Sequence, residues 1–195
     1  TYQDTYINGA ANVGEFAAKW AGAIGNSLKV SMADDSTYSG WTYEDEFDSA
    51  PGTTSYANNV GGSDDGMHII VIDEDGLFTG TAGTILEKFA YVSKAGDAKA
   101  TDGSNNYYKN VLNTRSRYVW WMDHPTDGTN WGDDAQGTTF AALSAAVTNS
   151  LTGGVDDFAS SDGDIQTAYA PFANDELYDI SLVFMGKASA VTAKW

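Results

Sequence analysis

Apolar positions along this chain fall into two rhythms, one repeating every second residue and one every three to four. Leu28, Val30 and Met32 alternate with Lys29 and Ser31, the period of a half-buried strand. His68-Ile69-Ile70-Val71-Ile72 is a nearly continuous apolar run, as expected of a strand covered on both faces, and Tyr118-Val119-Trp120-Trp121-Met122 is another. Ile180, Leu182 and Phe184 share one face of a further strand over Asp179 to Phe184. Helical spacing occurs three times. Val13, Phe16, Ala17 and Trp20 form a short stripe that Gly22, Gly25 and Asn26 break. Asn105 to Asn113 places Tyr107, Tyr108, Val111 and Leu112 on one helical face, with Ser104 as its N-cap. Ser161 caps a helix that includes Asp164 to Ala173, with Ile165, Ala168, Tyr169 and Phe172 at i, i+3, i+4 and i+7. Two segments fit either element: Ile85 to Val92 as a return strand or the lead-in to a helix, and Thr138 to Val147 as strand or helix.

Asp73-Glu74-Asp75-Gly76 supplies a turn after the 68–72 strand, since Asp-Gly readily takes the positive φ of a tight hairpin. Residues 33–66 are dense in Asp, Ser, Gly and Tyr and read as long loops, with short edge strands around Trp41 to Phe47. A polar loop with Pro125, Gly128, Trp131 and Asp133-Asp134 follows the 118–122 strand. Strands alternate with helices near 85–122 and 161–185. The expected fold class is therefore α/β: a parallel or mixed β-sheet flanked by helices, with long acidic Gly/Asp-rich loops. Its central sheet is predicted to include 68–72, 118–122 and 179–184. Without an internal repeat or a low-complexity linker, the 195 residues read as a single domain over 1–195.

Composition narrows the function classes. With 42% hydrophobic and 13% aromatic residues, there is material for a folded core and long disorder is disfavoured. No apolar run approaches the roughly 20 residues of a membrane-spanning helix, so membrane insertion is not expected. The start, Thr1-Tyr2-Gln3-Asp4, has neither an initiator Met nor the pattern of a signal peptide, and suggests a segment of a longer protein. Cysteine is absent, which removes disulfides, thiolate metal sites and cysteine nucleophiles. The net charge of -17 argues against direct nucleic-acid binding, which needs clustered positive charge. Yet charge is uneven: six of the ten basic residues (Lys88, Lys94, Lys99, Lys109, Arg115, Arg117) lie between Glu87 and Tyr118. Either the acidic surface is simply solvated, or the basic stretch of one copy meets acidic loops of the next. Lys94, Lys99, Lys109, Arg115 and Arg117 are the candidate inter-subunit contacts.

Catalytic and metal motifs are wanting. Asp73, Asp75 and Gly76 resemble the middle of a calcium loop, but the first ligand position would be Val71 and the twelfth Ala82, so no metal is expected. The two histidines, His68 and His124, lack an HExxH context and read as structural. Adjacent acids (Glu44/Glu46, Asp64/Asp65, Asp133/Asp134, Asp156/Asp157) arise readily among 27 carboxylates and do not define a catalytic dyad. There is no phosphate-binding glycine loop and no nucleophile elbow, so no catalytic residue and no cofactor is expected. A carbohydrate-binding or adhesin-type surface domain remains the alternative, motivated by Trp41, Trp120, Trp121 and Trp131 beside Gly/Asp-rich loops. A glycoside hydrolase comes third.

Three stretches, in order, resemble the contractile tail sheath family of myovirus-type bacteriophages. Ala21 to Val30, with Gly22, Gly25 and Asn26, is similar to a Gly-x-x-Gly-Asn turn feeding a strand, although Ala21 stands where a Pro is frequent. Within Thr84 to Val119, Glu87 and Phe89 and then Asn113, Ser116 and Tyr118 match two further segments. Leu151-Thr152-Gly153-Gly154, followed by an acidic loop, a helix and the strand 179–184, is the third. Residues 34–66 and 123–137 match no part of the family pattern. The resemblance implies the central portion of a larger, non-enzymatic subunit. Such subunits stack with other copies of themselves in rings, six-fold as a rule, around a tail tube protein, with baseplate and tail terminator as further partners. It also implies contraction that drives the tube through the host envelope, and a virion protein assembled in the host cytoplasm.

Overall fold

The computed structural model describes residues 9, 14–174, 176–182, 184, 186 and 188–194. Contacts group into two compact units, Thr1–Val155 and Asp156–Trp195.

In the first unit the strands are β1 (Phe16–Ala18), β2 (Leu28–Asp34), β3 (Gly66–Asp73), β4 (Thr84–Ser93), β5 (Val119–Trp121) and β6 (Val147–Ser150). Helices α1 (Asp35–Tyr38), α2 (Ser55–Asn59) and α3 (Tyr108–Arg115) interrupt them. The fold class is mixed α/β, as the alternation predicts. The pairing is not the parallel one: a four-stranded sheet in the order β4-β3-β2-β6 and a two-stranded sheet β1-β5 are both antiparallel throughout. Parallel neighbours need a crossover helix between them. Here β3 returns directly as β4 through the loop 74–83. The helix that follows β4, α3, leads instead into β5, which leaves for the other sheet.

Several local expectations change for tertiary reasons. Phe16 and Ala17, read as part of a helical stripe, form β1, because Phe16 pairs with Trp121 and Ala17 with Trp120; Val13 lies outside the described residues. The 118–122 strand therefore joins the small sheet and not the central one. Helix α3 starts at Tyr108 behind Tyr107, not behind Ser104, because Asn105 Oδ1 accepts the Tyr107 N–H and delays the helix. The 41–47 stretch is a 3-10 turn at Glu44–Glu46 and not an edge strand. Ile85 to Val92 belongs to β4, and of Thr138 to Val147 only the last residue enters a strand, β6.

The central sheet is covered on both faces, which explains the unbroken apolar run of β3, buried along its whole length. Leu28, Val30, Met32, Ile69, Val71 and Phe89 face the main core with Tyr108, Leu112 and Trp121. Ala33, Ile70 and Ile72 face the opposite way, against Trp41, Tyr38, Tyr43 and Phe47 of the 35–50 segment. That period-two division is the pleat itself.

In the second unit, α4 (Asp162–Tyr169) carries the expected Ser161 cap: Ser161 Oγ accepts the Asp164 N–H at 3.2 Å, and Asp164 reaches back to Ser161. Residues 170–173 continue as a 3-10 turn. Among the described residues of 179–184 there is no strand, and Val183 lies outside them. Thr192 is the one buried residue among those described in this unit, whereas Phe158, Leu177, Leu182 and Phe184 are at least 70% exposed.

Candidate functional site

The glycines and Asn26 that stand out in the sequence meet in space. Asn26 Nδ2 donates to the Gly154 carbonyl at 2.9 Å, and the Gly154 N–H donates to Asn26 Oδ1 at 2.7 Å, so one side chain replaces a peptide partner for the 153–154 turn. The close approach explains the small residues. A Cβ at Gly154 would be driven onto the Gly22 carbonyl oxygen, and one at Gly25 would lie 2.8 Å from the Trp20 carbonyl oxygen. Gly154→Ala should therefore destabilise this unit by about 1–3 kcal/mol, as overpacking does, and urea titration would show it. An unchanged midpoint would mean that the clamp yields freely.

The second group also converges. Glu87 on β4 accepts from Ser116 Oγ at 2.6 Å and from the Arg117 N–H at 2.8 Å. Ser116 Oγ in turn accepts the Tyr118 and Val119 N–H groups at 3.1 and 3.0 Å. Asn113 Oδ1 accepts the Trp121 N–H at 3.0 Å. Lys19, which no sequence pattern singles out, closes the C-terminus of α3 by donating to the carbonyls of Asn113 (3.1 Å) and Ser116 (2.6 Å). A cation there complements the helix dipole. Its ammonium also lies 3.8 Å from the centre of the Trp120 ring; burial lowers its pKa, an effect that Glu87 partly offsets. Phe89 is in the main core, and Tyr118 packs edge-on against Phe78 at 5.3 Å. Together these residues fix the β4–α3–β5 connection.

Between β1 and β6 lies an open groove of about 600 Å³, bordered by Glu15, Trp20, Asn26, Asn149 and Thr152. Among the described residues Glu15 is the one ionisable side chain that lines it, and its carboxylate accepts Asn149 Nδ2 at 2.6 Å.

The basic stretch divides. Lys99, Arg115 and Arg117 are exposed. Lys109 is half-buried 4.2 Å from the centre of the Trp121 ring, and burial lowers its pKa. Lys94 corrects the expectation. Its side chain is 1% exposed and its ammonium sits 2.8 Å from Asp34 Oδ2 and 3.0 Å from the Ala141 carbonyl, so it is an internal ion pair and not a surface contact.

Three aspartates, Asp34, Asp65 and Asp73, are buried, a role that the local sequence pattern of none of them announces. Asp34 ends β2 and accepts from Lys94, the Leu143 N–H and the hydroxyls of Ser36 and Thr37. Asp65 precedes β3 and binds the Thr54 N–H, Thr54 Oγ1 and Ser93 Oγ. Asp73 ends β3 and accepts from Ser27 Oγ and from the Phe78 and Thr79 N–H groups. The available signal was an acid at a strand end close to Ser and Thr, the composition of side-chain-closed turns. Among the described residues there is no group of three or more His, Asp or Glu placed to hold a metal ion, and no helix long and apolar enough to cross a membrane.

Of the four tryptophans that motivate a sugar-binding alternative, three point inward, Trp41, Trp121 and Trp131 being 4%, 1% and 5% exposed, while Trp120 is half-buried beneath the Lys19 ammonium. Trp41 Nε1 donates to Ser31 Oγ at 2.8 Å, and Trp131 Nε1 to the Ala141 carbonyl at 2.9 Å. Trp121 Nε1 donates to Tyr108 OH at 2.9 Å, which meets His124 Nδ1 at 2.6 Å. Burial lowers the pKa of His124 and pushes the Tyr107 phenol beside it up to about 12. Trp41, Trp121 and Trp131 thus fill the core.

No family model matches the chain. Over 122 residues, 59% of its length, the chain is 31% identical to a tail sheath protein of Salmonella phage ViI, and the match spans 16% of that protein. The chain is thus similar to a phage tail sheath protein along part of its length and corresponds to a small fraction of it.

Proposed function

We propose that this chain is part of a structural subunit of a bacteriophage contractile tail sheath. In this reading the subunit polymerises in stacked, six-fold rings around a tail tube, between baseplate and tail terminator. Contraction then drives the tube through the host envelope, and the chain is a virion component assembled in the host cytoplasm with no catalytic role. The observation that carries the reading is the 31% identity to a phage tail sheath protein. Two features of the chain agree with an assembling protein. The 156–195 unit leaves Phe158, Leu177, Leu182 and Phe184 open to solvent, more apolar surface than a free small domain tolerates. The exposed Lys99, Arg115 and Arg117 supply local positive charge on a chain of net charge -17, so that neighbouring copies can meet without uniform repulsion.

The experiment uses the full-length protein with Lys99→Glu, Arg115→Glu and Arg117→Glu together, imaged by negative stain and followed by light scattering across salt concentrations. Each exposed pair is worth about 0–1 kcal/mol, so the effect depends on repetition through the assembly. Wild type is expected to form tubes or rings at low salt. The triple variant is expected to assemble markedly less there and to regain ground as salt screens the repulsion. Equal assembly at low salt would reduce these residues to a solvated face, and absence of tubes or rings from the wild type would remove the sheath reading.

A further inference from the structure

His68 sits in β3 with its ring wholly inside the first unit, 0% exposed, and both ring nitrogens bonded to main chain. The Tyr91 N–H donates to Nδ1 at 3.1 Å, and Nε2 lies 2.9 Å from the Ser49 carbonyl oxygen. A carbonyl only accepts and an N–H only donates, so the neutral ring with its proton on Nε2 satisfies both bonds. The backbone is shaped around this arrangement. Met67 pairs with Val92 and Ile69 with Phe89, which sets His68 opposite the two-residue bulge Ala90-Tyr91. Tyr91 occupies the left-handed region at φ 53°, uncommon for a residue with a side chain. The imidazole thus takes the place of a ladder partner for the Tyr91 N–H.

Aromatic packing links the same ring to the segment that covers the sheet. Phe47 stacks on it at 4.1 Å and 6°, Tyr38 and Tyr91 meet it edge-on at 5.7 and 4.6 Å, and Ser49 Oγ lies 3.0 Å from Tyr91 OH. One imidazole therefore ties β3, β4 and the 35–50 segment together.

We propose that His68 is an acid-sensitive latch, whose protonation releases the 35–50 segment from the sheet face it covers and the Tyr91 bulge from β3. A proton on Nδ1 would confront the Tyr91 N–H, donor against donor, and deprive that N–H of its acceptor. Among the described residues no carboxylate is bonded to the ring to receive the imidazolium. On the covering segment the acids are Asp35, Glu44, Asp45, Glu46 and Asp48, and among the described residues none pairs with the ring. Glu46 instead takes Lys88 of β4 at 3.1 Å. On β2 the register partner of His68 is Ala33, and the neighbouring Asp34 is held by Lys94. The phenols of Tyr38 and Tyr91 complete the surroundings. Stacking on Phe47 would favour a cation, but it leaves the stranded N–H without an acceptor. Burial lowers the pKa of His68, partly offset by the Ser49 carbonyl. The latch is therefore closed above the ordinary histidine value of about 6.5 and weakens as pH falls from there toward the folded value.

The test is amide hydrogen exchange on the full chain between pH 7.5 and 5, with protection corrected for the intrinsic pH dependence of exchange. Protection at Tyr91 and over 43–50 is expected to fall by about tenfold for each pH unit below about 6.5. Amides at the centre of β2 are expected to keep theirs over the same range. His68→Phe, which keeps the stack but cannot titrate, is expected to remove the pH dependence at those amides, and His68→Gln serves as a second non-titrating variant. Should neither variant fold, NMR of the wild-type imidazole decides the matter alone, with the Nε2–H tautomer and a pKa below about 6.5 expected. Titration at or above that value, the other tautomer, or unchanged protection in the wild type would each overturn the latch.

Discussion

Lys94→Met is expected to cost the first unit about 3–5 kcal/mol, read as a lower urea midpoint at unchanged slope. Most of that cost is the carboxylate left behind. Asp34 is 2% exposed, and without Lys94 its charge would remain in the interior with only the Leu143 N–H and the hydroxyls of Ser36 and Thr37. Burial alone would raise the Asp34 pKa, but the bonds from Lys94 and Leu143 outweigh it and hold the carboxyl below its ordinary range. Adding Asp34→Asn to Lys94→Met should recover part of the loss, because neutralising both partners removes the orphaned charge. The pair is therefore poor evidence of net stability and strong evidence of mutual dependence. A Lys94→Met variant within about 1 kcal/mol of wild type would show that water reaches Asp34 in solution.

Asp73→Ala should be nearly as severe, at about 3 kcal/mol or more, because it strands the Phe78 and Thr79 N–H groups and the Ser27 hydroxyl together. Asp73 closes the β3–β4 connection: its carboxylate holds Thr79 at 2.8 Å through the N–H and Phe78 at 3.0 Å, while Ser27 Oγ donates at 2.6 Å from the other side. Burial raises the carboxyl's pKa, and the donors from Ser27, Thr79 and Phe78 more than reverse that, leaving it below its ordinary value. A folded pKa below the unfolded one means that this stabilisation is complete above about pH 4 and is lost as pH falls through the folded value. The difference between wild type and Asp73→Ala should accordingly be constant from pH 7 to about 5 and narrow in stronger acid. A constant difference down to pH 2 would mean that the aspartate contributes by shape and not by charge.

What the sequence alone determined is whatever depends on neighbours close in the chain. The apolar run of 68–72 is β3, alternation at Leu28, Val30 and Met32 marks β2, and Ser161 caps α4 through Asp164, three residues on. Gly22, Gly25 and Asn26 were legible as breakers of a helical stripe, and with Gly153 and Gly154 as part of the resemblance to the tail sheath family. What they hold was not, since Gly154 lies far along the chain from Asn26. Tertiary structure alone decided pairing and direction. Phe16 and Ala17 show a helical spacing, yet lie in a strand because Trp121 and Trp120 are available opposite them. Their hydrophobic gain from that partnership exceeds the small helix preference of a short segment. The same distance in sequence hid the inward turn of Trp41, Trp121 and Trp131 and the burial of Lys94, because a charge reads as surface until its counter-ion is located. Asp34 stands sixty residues from Lys94. Nothing in the local pattern of either could announce the other, since burial of a charge is a property of the pair and of the core that encloses it.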